Sequence, residues 1–222
     1  MCRIRRSAIK PTITWDHQAY RRRSEALAAL ARELGALGYT PATSGNYSCR
    51  LNEQAIAVTR SGVHKRHLSA DDMMVVDLQG QALSTGKPSA ETLLHCQLYR
   101  LDPSIGAVLH VHTPAVTVIS RLCASAGEVR LEGYELLKAL TGQTTHDTHI
   151  SLRILPNDQD MPRLAGQIEP LWPEIQAAWA YLIAGHGIYV WGHDLDQAAR
   201  HLEAINFMLD CELLTYQSQR ND

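Results

Sequence analysis

His110 and His112 stand one residue apart at the end of the apolar run Ile105-Gly106-Ala107-Val108-Leu109. The run reads as a buried strand, and Thr113-Pro114 ends it with a pair suited to opening a helix, because proline fits the first helical position. Side chains in a strand alternate between faces, so both imidazoles project from the same one. That spacing offers two nitrogen ligands to one metal ion. An isolated pair of this kind is as readily two solvent-facing histidines, but a third histidine shifts the weight. His186 sits in residues 180–192, where two apolar, aromatic and β-branched runs flank Gly185-His186-Gly187. This is a hairpin signature whose glycines permit positive φ on either side of the histidine. Three histidines on strand ends match a catalytic zinc site of about one ion per chain, with a fourth position open for substrate or water.

The surrounding pattern supplies the elements that must hold these rings. Leu27, Leu30, Ala31, Leu34 and Leu37 recur at helical spacing and end at Gly38, a natural C-cap. Two turns bearing glycine and hydroxyls follow, Ser44-Gly45-Asn46 within 42–48 and Arg60-Ser61-Gly62 after the strand-like Ala55-Ile56-Ala57-Val58-Thr59. Residues 73–84 predict a short hairpin about Gln79-Gly80. Lys87-Pro88-Ser89-Ala90-Glu91 predicts a helix running to about Leu101, with Ser89 as candidate N-cap and Glu91 in the first turn. A helix over 116–122 and a strand over 151–155 come next. From Asp194 to about Tyr216, Leu195, Ala198, Leu202, Ile205, Leu209 and Leu213 form one apolar helical stripe. Helices interleaved with hairpins, with few right-handed crossovers, predict a three-layer α/β/α fold around a largely antiparallel or mixed sheet.

Composition limits what such a site can serve. With 222 residues, 45% of them hydrophobic, and a net charge of −2, the chain fits one catalytic domain over 21–222 behind an N-terminal tail of 1–20. The basic residues are scattered outside the first 23, which argues against a nucleic-acid partner. No apolar run is long enough to span a bilayer. Five cysteines without a CxxC pair fit a reducing compartment better than a disulfide scaffold, and leave the histidines as metal ligands. Most of His17, His64, His67, His95, His146, His149, His193 and His201 lack paired spacing and read as surface or interface residues.

Ser44-Gly45-Asn46, Arg60-Ser61-Gly62, Pro88-Ser89-Ala90-Glu91, His110-Val111-His112 and Gly185-His186-Gly187, in this order, resemble the class II aldolase/adducin superfamily. Within it, residues 132–138, 156–160 and 189–192 are similar to the branch that dehydrates a methylthio sugar phosphate. The match covers roughly Ala26 to Tyr216. It implies a class II aldolase/adducin-like fold and a cytoplasmic hydro-lyase of methionine salvage. Such an enzyme uses zinc to convert 5-methylthioribulose 1-phosphate to 2,3-diketo-5-methylthiopentyl 1-phosphate, and related members form rotationally symmetric homotetramers. Animal relatives carry cysteine where Glu91 stands, whereas superfamily aldolases carry an acid/base glutamate there.

The implied chemistry removes a proton from the carbon beside the ketone and expels hydroxide from the next carbon. The resemblance assigns zinc to His110, His112 and His186, the proton shuttle to Glu135 and a secondary role to Glu91. Phosphate recognition falls to Ser44, Gly45, Asn46, Ser61, Gly62, Lys65 and Ser89, where turn amides and a helix start face an anion. Two other activities stay open: a sugar-phosphate aldolase or 4-epimerase on the same scaffold, and a non-catalytic adducin-like binding module.

Overall fold

The computed structural model describes residues 13–219. Its strands are β1 (Asn46–Arg50), β2 (Ala55–Thr59), β3 (Met73–Asp77), β4 (Ala107–Val111), β5 (Glu128–Glu132), β6 (His149–Leu155), β7 (Ala180–Ile183) and β8 (Gly187–Gly192). The helices are α1 (His17–Ala36), α2 (Thr92–Leu101), α3 (Pro114–Leu122), α4 (Met161–Ile168), α5 (Trp172–Ala178) and α6 (Leu195–Gln219). The strands form one sheet in the order β3-β2-β1-β4-β8-β7-β6-β5. Only the β6–β7 pair is parallel. The mixed sheet predicted from the sequence is the one observed.

Strand alternation divides the interior between two layers of helices. Leu109, Val111, Val190 and Leu182 pack with Leu27, Val116 and Leu202 from α1, α3 and α6. Val108, Tyr181, Tyr189 and Trp191 pack on the other face with Leu94, Leu164 and Ile175 from α2, α4 and α5. Covered on both sides, the central strands are buried at every position, which explains their nearly continuous apolar runs.

Four local features differ from the sequence expectation. Asp16 accepts from the Gln18 and Ala19 amides at 2.7 and 3.2 Å, so α1 starts at His17, inside the stretch 1–20 assigned to a tail. Residues 1–12 of that stretch lie outside the described residues. After Met73–Asp77 the chain returns through a single bridge, Val76 to Ala82, and the second strand of the predicted hairpin does not form. The turn predicted over 42–48 ends at Gly45, whose φ is +76°, and Asn46 already belongs to a central strand. Finally, α2 begins at Thr92. Ser89 accepts from the Glu91 amide at 3.3 Å in a turn ahead of the helix, and Glu91 occupies the N-cap position instead of the first turn.

Candidate metal centre

His110 comes from the centre of the sheet and is fully buried. Its Nδ1 donates to the Ile188 carbonyl on neighbouring β8 at 2.9 Å, which leaves Nε2 as the bare nitrogen. Its ring stacks on Tyr189, the residue it faces across the sheet, at 4.1 Å between centroids. His112 lies just past the strand, fixed by its amide to the Tyr39 carbonyl at 2.8 Å, with its Nε2 2.9 Å from that of His110. His186 occupies the β7–β8 turn after Gly185, whose φ is +65°. Gly187 does not need positive φ. It is required because a Cβ there would meet the Val111 carbonyl and both neighbouring imidazoles.

The Glu91 carboxylate enters this group from the start of α2. Its Oε1 is 3.0 Å from His186 Nε2 and 3.6 Å from His110 Nε2. One ligand atom from each of Glu91, His110, His112 and His186 lies within 4.8 Å of the others. Three imidazoles and a carboxylate turned toward one another in a largely buried space are a donor set for a divalent cation. Burial, and then the charges of His110 and His186, push His112 down to about 3. Burial works to raise the Glu91 carboxyl, but His110 and His186 beside it hold it well below the usual carboxylate range.

Beside the centre, and sharing Glu91 and His112 with it, is a recess of about 150 Å³. Ser44, Gly45, Asn46, Ser61, Gly62, Lys65 and Ser89 all line it. Two of these have other engagements. The Asn46 amide is 3% exposed, with Nδ2 donating to Glu91 Oε2 at 2.6 Å and Oδ1 facing His95. Lys65 is buried and donates from Nζ to the Thr43 and Val63 carbonyls at 3.1 and 2.9 Å, and burial lowers its pKa. Arg60 was not assigned a role from the sequence, yet it lines the same recess. Its buried Nε has no partner, and its guanidinium makes no hydrogen bond or ion pair among the described residues. The signal was its place in the Arg60-Ser61-Gly62 turn.

A larger cavity of about 870 Å³ opens over the metal centre, with Pro114, Val118 and Met161 as apolar walls and Thr117, Asn157 and Gln159 as polar ones. Glu135 is not among its lining residues. It is exposed in a short 3-10 turn, paired with Lys138, which holds its carboxyl low, and 3.6 Å from His146 Nδ1. His95 and His201, expected at the surface, are fully buried because each finds partners for both ring nitrogens.

The profile of the class II aldolase and adducin N-terminal domain matches residues 25–213. A methylthioribulose-1-phosphate dehydratase of Xanthomonas campestris pv. campestris (strain B100) is 55% identical over 183 residues, 82% of this chain and 84% of its own. One from Stenotrophomonas maltophilia (strain R551-3) is 50% identical over 204 residues, 91% of this chain and 95% of its own. Among solved structures, YgbL of Escherichia coli, described as a putative aldolase/epimerase/decarboxylase, superposes with a TM-score of 0.76 at 24% identity, over 88% of this chain and 90% of that one. An L-fuculose-1-phosphate aldolase from Thermus thermophilus gives 0.72 at 23% identity, over 91% and 99%. At these identities the structural likeness speaks for the fold.

Proposed function

The chain belongs to the class II aldolase and adducin family, and from that premise we propose that it dehydrates 5-methylthioribulose 1-phosphate to 2,3-diketo-5-methylthiopentyl 1-phosphate, a lyase reaction of methionine salvage. The observation that carries this reading is the identity of 50–55% over most of the chain with dehydratases of that substrate. The convergence of Glu91, His110, His112 and His186 supports a metal-dependent reaction. That donor set suits zinc, at about one ion per chain, held by the three histidines. When bound, the ion supplies positive charge where negative charge develops on the ketone oxygen.

The remaining steps fall to the chain's own groups. The reaction removes a proton from the third carbon and hydroxide from the fourth, and the resulting enol takes a proton at the fourth carbon to become the diketone. Glu91, already among the metal-facing groups, is the carboxylate that lines the cavity over them. Glu135 can shuttle a proton only if a second copy brings it to the cavity, since its own chain keeps it outside. The outward-facing Val118 and Leu122, one turn apart on α3, support such a closure, with Val118 on the cavity wall. A homotetramer is the assembly this reading adopts. Phosphate binding is assigned to the recess of Ser44, Gly45, Ser61, Gly62 and Ser89, with Arg60 and Lys65 as its cations. The cytoplasm, where free thiols persist, suits its cysteines.

Incubation with methylthioribulose 1-phosphate tests the proposal by formation of the diketone. His110→Ala, His112→Ala and His186→Ala should each lose metal and activity while staying folded. Glu135→Gln should lower turnover by roughly two to four orders of magnitude with metal retained. Mixed with His186→Ala under subunit exchange, it should regain part of the activity, because a hybrid pairs an intact metal site with an intact Glu135. Retro-aldol cleavage without diketone, with Glu91→Gln the more damaging change, would instead place the chain with the aldolases.

A further inference from the structure

Asn46, Ser48 and Arg50 hold alternate positions of β1, and Glu91, His95 and Tyr99 recur at every fourth residue from the N-cap of α2. The two periods set a strand face against a helix stripe. Ser48 Oγ lies 2.7 Å from His95 Nδ1 and 2.9 Å from the Tyr99 hydroxyl. His95 Nε2 meets Asn46 Oδ1, and Asn46 Nδ2 reaches Glu91 Oε2 at 2.6 Å. At the far end, Arg50 lies 4.8 Å from the Tyr99 ring centroid and donates to the Tyr99 carbonyl at 2.8 Å. All the side chains between Tyr99 and Asn46 are buried.

Every donor in this chain is determined. An ionised carboxylate only accepts, so the amide nitrogen of Asn46 must face Glu91 and its oxygen must face His95. That oxygen also only accepts, so His95 carries its proton on Nε2 and leaves Nδ1 bare. Ser48 therefore donates to Nδ1, and Tyr99 donates to Ser48. A neutral ring is what the setting enforces: burial, followed by the charge of His110, pushes His95 down to about 3. Glu91 Oε2 has no other hydrogen-bond partner among the described residues.

We propose that His95 is a positioning residue for the reaction: by fixing the Asn46 amide in one orientation, it holds Glu91 with Oε2 bound and Oε1 aimed at His110 and His186. Without that anchor the amide can turn over and present its oxygen to the carboxylate, which pushes Glu91 out of place. The inference rests on the proposed role of the metal centre, but its first test does not.

In metal-free protein, nitrogen–proton correlation spectra of the histidine rings should show His95 neutral with its proton on Nε2. A proton on Nδ1 would overturn the proposal. In the metal-loaded protein, His95→Leu removes both contacts, whereas His95→Gln keeps an acceptor and a donor at nearly the ring's spacing. His95→Leu should lower turnover by roughly 10- to 100-fold with Michaelis constant and metal content unchanged, as removal of an outer partner does. His95→Gln should recover most of that loss. Full turnover in His95→Leu, or no recovery in folded His95→Gln, contradicts the positioning role. If His95→Leu does not fold, Ser48→Ala replaces it, since it withdraws the donor that keeps the proton on Nε2. It should lower turnover at constant Michaelis constant, and unchanged turnover would count against the proposal. An inactive parent enzyme would refute the proposed reaction and leave the tautomer measurement to decide this inference.

Discussion

A methyl group added at Gly187 would stand 2.5 Å from the Val111 carbonyl, 2.8 Å from His110 Cε1 and 3.0 Å from His112 Cδ2. None of these atoms can retreat cheaply, because the carbonyl belongs to a central strand and the His110 ring is pinned by Ile188 and stacked on Tyr189. Gly187→Ala should therefore cost about 1–3 kcal/mol of stability, an overpacking penalty, and weaken metal binding. Urea unfolding and metal titration would check both. The two cations of the recess should behave differently from each other. Lys65→Met leaves the Thr43 and Val63 carbonyls without their buried donor, so it should lower stability by about 1–3 kcal/mol as well as raise the Michaelis constant. Arg60→Met removes a guanidinium with no partner among the described residues. It should raise the Michaelis constant for the phosphorylated sugar and leave the thermal midpoint nearly unchanged. A Michaelis constant unmoved in Arg60→Met would remove Arg60 from the phosphate site.

Among the elements, α3 is tied to the metal centre by the residue that follows His112. Thr113 Oγ1 accepts from the Val116 amide at 3.2 Å as the N-cap of α3 and donates to Asn206 Oδ1 on α6 at 2.6 Å. Asn206 in turn donates to Tyr39 and Asp210, so this hydroxyl joins two helices to the loop that carries the His112 amide contact. Thr113→Val keeps the shape and removes the cap, and should cost about 1–2 kcal/mol. Metal content should persist, since the three rings are held by the sheet and the β7–β8 turn. Loss of metal in a folded Thr113→Val protein would show that α3 takes a larger part in orienting His112.

For the molecule as a whole, buried neutral histidines make stability depend on pH. Burial holds folded His95 down to about 3 and lowers His201, while unfolded histidine titrates near ~6.5. As pH falls below that unfolded value, the unfolded chain takes up protons that the folded chain refuses. Stability is therefore highest above ~6.5 and declines as pH falls toward the folded values, with His95 contributing roughly 1.4 kcal/mol per pH unit. His95→Gln has no ring to titrate, so its unfolding midpoint in denaturant should fall less between about pH 6 and pH 4 than that of the unaltered protein. Equal slopes would mean that the His95 site admits a proton as readily as water does.

The residue pattern alone determined the alternation that puts His110 and His112 on one face, the glycine-flanked turn that presents His186, the apolar stripe of α6 and the mixed α/β layering. These depend on local periodicity, which survives in any reading of the chain. The resemblance of its ordered motifs added the family and the reaction, matters of chemistry that periodicity does not encode. Only the tertiary structure decided which residues meet. It brought Glu91 to the three histidines, showed that Gly187 is a matter of space and not of φ, and placed Glu135 away from its own chain's cavity. It also turned His95 from an expected surface residue into a buried anchor. The stripe of Glu91, His95 and Tyr99 and the alternation of Asn46, Ser48 and Arg50 were both in the sequence, but each looked like ordinary polarity until strand and helix packed together. Contacts between elements distant in the chain depend on register and packing angle, and no local pattern carries them.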